Sequence, residues 1–361
     1  MASDTSYNIE KKPKMASIEA ARGIAALCVV FMHAANLMNV EHFSRHVGMG
    51  RIFDFGYVGV DFFFVLSGFI ITYIHFHEIG RINTIPRYLW RRFSRIYPIF
   101  WIILILAIAA TSLARFSTGR PIDFGIGLSD IFSTVLLLMT SDGEPKYIGP
   151  AWTLRYEVLF YLAFCILLAN TRIGTLLFAT WAAIVVGNAL GIIHLLLPFN
   201  LSNAHCFEFL IGVLVGVAAR RYTLHTSRKI LLVSLLLFIA ATAFEVYGPL
   251  PRHSPEGRLV LGLASALILS ALVGLERLQS ICTPNWMARI GSASYSIYLG
   301  HILLISIFYM LLLKAGLYHE LPEPILYFGA VAFALAGTFL IGIYVETPLV
   351  RSLKEAGIRR P

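Results

Sequence analysis

The sequence predicts an all-α fold: a polytopic integral membrane bundle of about ten transmembrane helices, with both termini cytoplasmic. Three observations carry that expectation. Of the 361 residues, 58% are hydrophobic and 14% charged, whereas a soluble globular domain carries roughly 25% charged residues. The apolar residues come in runs of about 20, the length at which a helix crosses a hydrocarbon core of roughly 30 Å. Lys and Arg fall mostly between these runs. No water-facing surface can be built from such a chain without exposing long apolar stretches, so its length describes one bundle rather than two or three soluble domains.

The candidate spans are 17–38, 56–77, 96–114, 150–169, 173–197, 204–219, 230–246, 259–275, 290–313 and 324–345. They divide the chain into a polar N-terminal tail (1–16), a transmembrane domain (17–350) and a basic C-terminal tail (351–361). The first run is too long for a signal peptide and lacks a clear cleavage site, so it reads as a retained span. A further apolar piece, 126–140, contains Ser129, Asp130, Ser133 and Thr134. Its length suits a re-entrant or interfacial segment as well as a span. Charge discriminates: if 126–140 does not cross, nineteen Lys and Arg fall on the cytoplasmic side and eight outside, as the positive-inside rule requires. No transporter-type internal repeat is visible.

The net charge of +9 suggests contact with anionic membrane lipids rather than nucleic acid, because the basic residues flank apolar runs. Cys28, Cys165, Cys206 and Cys282 lie within or beside those runs without a CxxC pair. They read as buried structural cysteines, with no disulfide framework and no metal site.

Ionisable residues inside spans are functional candidates, because each costs several kcal/mol to place there. Arg22 and His33 are eleven residues apart, about 20° from three full turns and about 16 Å along the axis. They share one face of the first span, with Glu19 and Asn36 nearly on it. In the second span Asp61 reads as an isolated acid near the outer end, and Ser67 with Gly68 as a site of close helix packing. Arg91, Arg92 and Arg95 follow in a loop at the cytoplasmic surface. Guanidinium forks suit phosphate, and a plain topology anchor is the other reading. The span at 150–169 opens with Trp152, Arg155, Tyr156 and Glu157. The aromatics fit an interfacial belt. Glu157 either orients His33 or a hydroxyl substrate, or pairs with Arg155. His301, placed about a third of the way across its span, and Glu346, closing the last span before Thr347 and Pro348, have structural readings and rank below His33.

Together these pieces resemble the membrane acyltransferase 3 family over roughly residues 15–350. The carriers are Arg22 with His33 at R-x10-H spacing, the stretch from Asp61 to Phe69, Arg92-x-x-Arg95 with Pro98, Trp152 to Tyr161, and Ser294 to His301. The chain resembles the bacterial exopolysaccharide and O-antigen O-acetyltransferases of that family, and Ile18 to His33 looks most like the exopolysaccharide acetyltransferases of the rhizobial succinoglycan type. The resemblance implies acetyl-CoA or another acyl-CoA as cytoplasmic co-substrate, no metal, and a hydroxyl acceptor on a polysaccharide or lipid-linked repeat unit. It further implies a multi-pass protein of the bacterial inner membrane. It makes His33 the catalytic base, with Glu157 assisting, and Arg22, Arg92 and Arg95 the ligands of the donor's phosphates. Asp61, Trp152, Arg155 and His301 are further site candidates. Some relatives carry a C-terminal hydrolase-like domain, so the resemblance implies that any such partner is separate or unnecessary here. The alternatives are a transporter or flippase for a lipid-linked sugar or small molecule, and an assembly subunit of polysaccharide export.

Overall fold

The computed structural model describes residues 15–39, 50–117, 128–139, 147–248 and 251–358. Lys11, Lys12, Lys14, Arg45, Arg120, Lys146, Arg359 and Arg360, which entered the charge count, lie outside the described residues, as do most of the N-terminal tail and the ends of 126–140. The described chain is helical throughout, with no strand. Its elements are α1 (Ala16–Met38), α2 (Gly50–Phe53), α3 (Val58–His75), α4 (Ile85–Ser117), α5 (Leu128–Val135), α6 (Ala151–Ala169) and α7 (Thr171–Ala189). Then come α8 (His205–Arg221), α9 (Arg228–Tyr247), α10 (Pro255–Arg277), α11 (Asn285–Ser292), α12 (Ser294–Lys314) and α13 (Glu323–Ile341). One turn of π-helix, Gly342–Glu346, leads into α14 (Thr347–Ile358).

Local chemistry sets several helix starts. Asn170 accepts from the N–H of Arg172 and Ile173 to cap α7, Ser227 caps α9, and Ser254 followed by Pro255 opens α10. Each cap satisfies donors that the first turn leaves unbonded. Nine helices among the described residues are long and apolar enough to cross a membrane. The tenth expected span, 204–219, forms α8, whose 17 residues reach about 25 Å, at the short end for a crossing. The 126–140 segment contains only the 8-residue α5. At about 12 Å it cannot cross. Its end is instead held against α4, where Tyr97 Oη donates to Leu136 O and Trp101 Nε1 to Val135 O, both at 2.9 Å.

Two helices are longer than expected. α4 has 33 residues, about 50 Å, and carries Arg87 to Arg95 as helix rather than loop. The last span continues through the π turn, so that 323–357 is one long apolar-to-basic rod. The two rods meet where Trp90 Nε1 donates to Leu353 O at 3.0 Å. These arginines make this the basic end of the bundle.

The centre is the crossing of α3 with α8. A Cβ on Gly68 would collide with Phe209 O, and one on Gly212 with Val65 O, so the two backbones touch as small-residue membrane interfaces do. Around it, Phe160 stacks on Phe209 at 4.0 Å. α1 lies against α12 and α13, fastened by Tyr309 Oη to Ala34 O (3.1 Å) and Tyr327 Oη to Phe31 O (2.9 Å). The outer face of α9 exposes Leu232, Val233, Leu236, Leu237 and Ile239, which water would not tolerate as a continuous patch and lipid does. All four cysteines are free. Cys282 is exposed rather than buried because it sits in the short connection before α11.

Gly68→Val and Gly212→Val each drive a branched side chain into facing backbone. Thermal unfolding in detergent is expected to show a loss of about 1–3 kcal/mol, or no folded protein at all. Gly149→Ala, whose added Cβ meets only Ile302 Cδ1 at 3.5 Å, is the control expected to unfold as wild type does.

Candidate active site

A cavity of about 950 Å³ opens at the basic end between α1, α3, α4, α6, α12 and α14. Arg22, Arg87, Arg91, Arg92, Arg95, Arg351 and Lys354 line it, against Glu19, Glu157, Glu346 and Glu355, seven basic side chains to four acidic. Arg22, Arg92, Arg95 and Glu157, separate in the sequence, therefore share one wall.

Each arginine is held differently. Arg22 pairs with Glu19 one turn earlier at 3.0 Å. Arg95 pairs with Glu346 Oε1 at 2.5 Å, while Ser296 donates to Glu346 Oε2 through Oγ (2.6 Å) and N (3.2 Å). The π turn sets Glu346 in that position by adding a residue to the helical turn, so this carboxylate organises the cavity rather than merely closing a span. Arg92 donates to His75 Nε2 at 3.0 Å, and His75 Nδ1 lies 2.5 Å from Glu78 Oε2. A guanidinium only donates, so Nε2 accepts and Nδ1–H donates to Glu78. The Arg92 guanidinium also lies over Tyr88 and Tyr161, at 5.7 and 5.4 Å, in cation–π range. Among the described residues its Nε has no hydrogen-bond partner. His75, Glu78 and Tyr161 were not singled out from the sequence. The signals were there: His75 and Glu78 are three residues apart, and Tyr161 is one turn beyond Glu157.

Glu157 accepts from Tyr161 Oη and, at 3.5 Å, from Ser67 Oγ. It does not orient His33. Ser67 therefore faces the cavity, and only Gly68 serves close packing. The partner of His33 is His301. His33 Nδ1 lies 3.0 Å from Val29 O and 3.1 Å from His301 Nε2, and His301 Nδ1 lies 3.1 Å from Ile297 O. Carbonyls accept only, so His301 carries its proton on Nδ1 and presents Nε2 as an acceptor. A proton on His33 Nδ1 is then shared between Val29 O and His301, which leaves His33 Nε2 with a free lone pair. The two histidines are level in the bundle, not at different depths. α12 begins only at Ser294, because Asn285–Ser292 forms the separate α11, whose Gly291 abuts Glu19. The pair is not itself on the cavity wall. Tyr298 lines the cavity, bonds Thr153 Oγ1 at 3.1 Å and lies 6.2 Å from the His301 ring.

The remaining candidates lie elsewhere. Asp61 is not isolated: it pairs with Arg258 of α10 beside Glu208. Tyr156 is buried and bonded to Asn200 at 2.9 Å, and Trp152 packs on it, so these aromatics form a core cluster rather than an interfacial belt. Arg155 is buried and does not line the cavity.

The fold defines a multi-pass membrane protein, and its cavity carries an excess of basic side chains. The chain belongs to the acyltransferase 3 family, described as an acyltransferase domain, which it matches over residues 15–343. It is 28% identical to the exopolysaccharide production protein ExoZ of Rhizobium meliloti, over 86% of this chain and 93% of that protein. It is 24% identical to the acyltransferase MdmB of Streptomyces mycarofaciens, over 96% of this chain and 94% of that one. The peptidoglycan O-acetyltransferase OatA of Listeria monocytogenes is also 24% identical, over 92% of this chain and 55% of that protein. No solved structure matches the chain. The family makes the protein an acyltransferase, which sets aside the transport and assembly alternatives.

Glu346→Ala strands Arg95 against the bundle. Unfolding in detergent is expected to lose about 3 kcal/mol, the low end for a broken buried pair, because Arg95 is still 27% exposed. Adding Arg95→Met should recover most of that loss.

Proposed function

We propose that the protein is an O-acyltransferase of the bacterial inner membrane that moves an acetyl group from cytoplasmic acetyl-CoA to a hydroxyl of an exported or cell-surface carbohydrate. The observation that carries this reading is the basic cavity ending beside the histidine pair. Its volume lies at the upper end for small-molecule sites. Its excess of guanidinium groups suits a nucleotide's phosphates. With the positive-inside orientation its mouth faces the cytoplasm, where acyl-CoA is found. The carbohydrate acceptor is supported by relatives named for exopolysaccharide production and peptidoglycan O-acetylation.

In this scheme Arg92 and Arg95 hold the donor's phosphates, Arg22 the next stretch inward, and the pantetheine arm runs toward Tyr298. The Tyr298–Thr153 bond is the inner end of the donor cavity, so the Tyr298 ring shifts to let the thioester meet His33. The acceptor hydroxyl gives its proton to His33 Nε2 as its oxygen attacks the thioester carbonyl. The tetrahedral adduct collapses, the C–S bond breaks, and the proton on His33 passes to the leaving thiolate. Glu157 acts at a distance from His33, by holding Ser67 and Tyr161 on the cavity wall.

Calorimetry of acetyl-CoA binding to the purified protein is the direct test. Arg92→Ala with Arg95→Ala is expected to weaken binding by about 100-fold, since a hydrogen bond to a charged group contributes about 1.5–3 kcal/mol. Absence of binding to folded wild type would remove the donor site and with it this reading. His33→Ala should leave protein level and donor affinity unchanged while transfer of labelled acetyl falls by about 10²–10⁴-fold. Labelled acetyl trapped on the protein without acceptor would replace direct transfer by a covalent intermediate.

A further inference from the structure

A second cluster of chemistry-bearing side chains lies at the opposite end of the bundle. It gathers from four helices: Asp61 on α3, His205 and Glu208 one turn apart on α8, Glu245 on α9 and Arg258 on α10. Asp61 and Glu208 are 0% exposed. Arg258 bridges Asp61 Oδ1 and, at 2.5 Å, Glu245 Oε1. The loop N–H of His253 donates to the same Glu245 oxygen at 2.7 Å. His205 Nδ1 lies 3.0 Å from Glu208 Oε2.

Two accounts do not close. The first is charge: three carboxylates face one guanidinium, and no other Lys or Arg among the described residues pairs with them. The second is hydrogen bonding. Asp61 Oδ2 and Glu208 Oε1 make no hydrogen bond among the described residues, and the ligand atoms of these two buried carboxyls lie within 4.8 Å of each other. Two ionised carboxylates this close need something positive between them, and a buried oxygen without a donor calls for an ion, water or proton.

We infer that Asp61, His205 and Glu208 form a site for one divalent transition-metal cation, of the zinc or manganese kind, at the end of the bundle opposite the basic mouth of the cavity, whose inner wall reaches Val60 and Phe64 beside them. One such ion brings the three carboxylates and Arg258 to neutrality. The donors, one imidazole and two carboxylates, are those these metals take. Their ligand atoms lie within 4.8 Å of one another, and ligands about 2.2 Å from a metal stand at most about 4.4 Å apart, so a contraction of a few tenths of an ångström closes the site. His205 and Glu208, three residues apart, present both groups on one helical face. His205 is 13% exposed and supplies the way in. Arg258 and Glu245 act around the metal: Arg258 holds the second Asp61 oxygen, and Glu245 is held in turn by Arg258 and the His253 N–H. Bound there, the ion ties α3 to α8 and, through Arg258, to α9 and α10. This inference is independent of the proposed acyl transfer.

The test takes tag-free protein purified in detergent, strips it with a chelator, and titrates Zn²⁺ and, separately, Mn²⁺ by calorimetry. The expected result is one equivalent per chain, an affinity about 100-fold lower in Glu208→Gln and in His205→Gln, and metal-dependent thermal stabilisation in wild type alone. Folded wild type that binds neither metal, or binds with an affinity that both variants keep, overturns the site. Wild type also decides without variants. A protonated-carboxyl band in its infrared spectrum that disappears on adding metal supports the site. A band that survives saturating metal means that Asp61 and Glu208 share a proton instead, and overturns it.

Discussion

A charge inside this bundle has no water to solvate it, so each ionised side chain must find its partner on another element or reach a cavity that holds water. That constraint orders the structure. Arg95 on α4 is answered by Glu346 on the π turn, and Arg258 on α10 by Asp61 on α3 and Glu245 on α9. Two of these links, Arg95–Glu346 and Arg258–Asp61, join helices far apart in the chain. The Arg258 links tolerate little error, because breaking one side leaves an uncompensated charge buried in the bundle.

The second organising feature is helix length. A rod of about 50 Å, such as α4, exceeds a hydrocarbon core of roughly 30 Å. The surplus of α4 and of the α13–α14 rod emerges at one end, carrying most of the arginines of the cavity. The cavity is thus a consequence of two helices continuing past the apolar layer and meeting at Trp90 and Leu353. At its inner end stand Tyr298 and Thr153, with the histidine pair behind them. The cationic lining and the histidine pair are thereby kept apart in one bundle, with the Tyr298–Thr153 bond between them.

What the sequence determined by itself was whatever depends on local pattern. Apolar run length set the helical bundle, and small-residue positions such as Gly68 marked a close crossing. The segment 126–140, open in the sequence between a re-entrant piece and a span, holds only the 8-residue α5 among its described residues. The family followed from motifs in order. Tertiary structure decided the partners. Nothing in the sequence says that His301 meets His33 268 residues away, that Glu346 rather than Glu157 holds an arginine, or that Asp61 sits with Glu208, His205 and Arg258. Those pairings depend on helix order, axial offset and the register at which α11 lifts α12. Such quantities arise from packing between distant segments, and in a bundle whose helices are apolar on nearly every side periodicity carries no record of which face meets which neighbour.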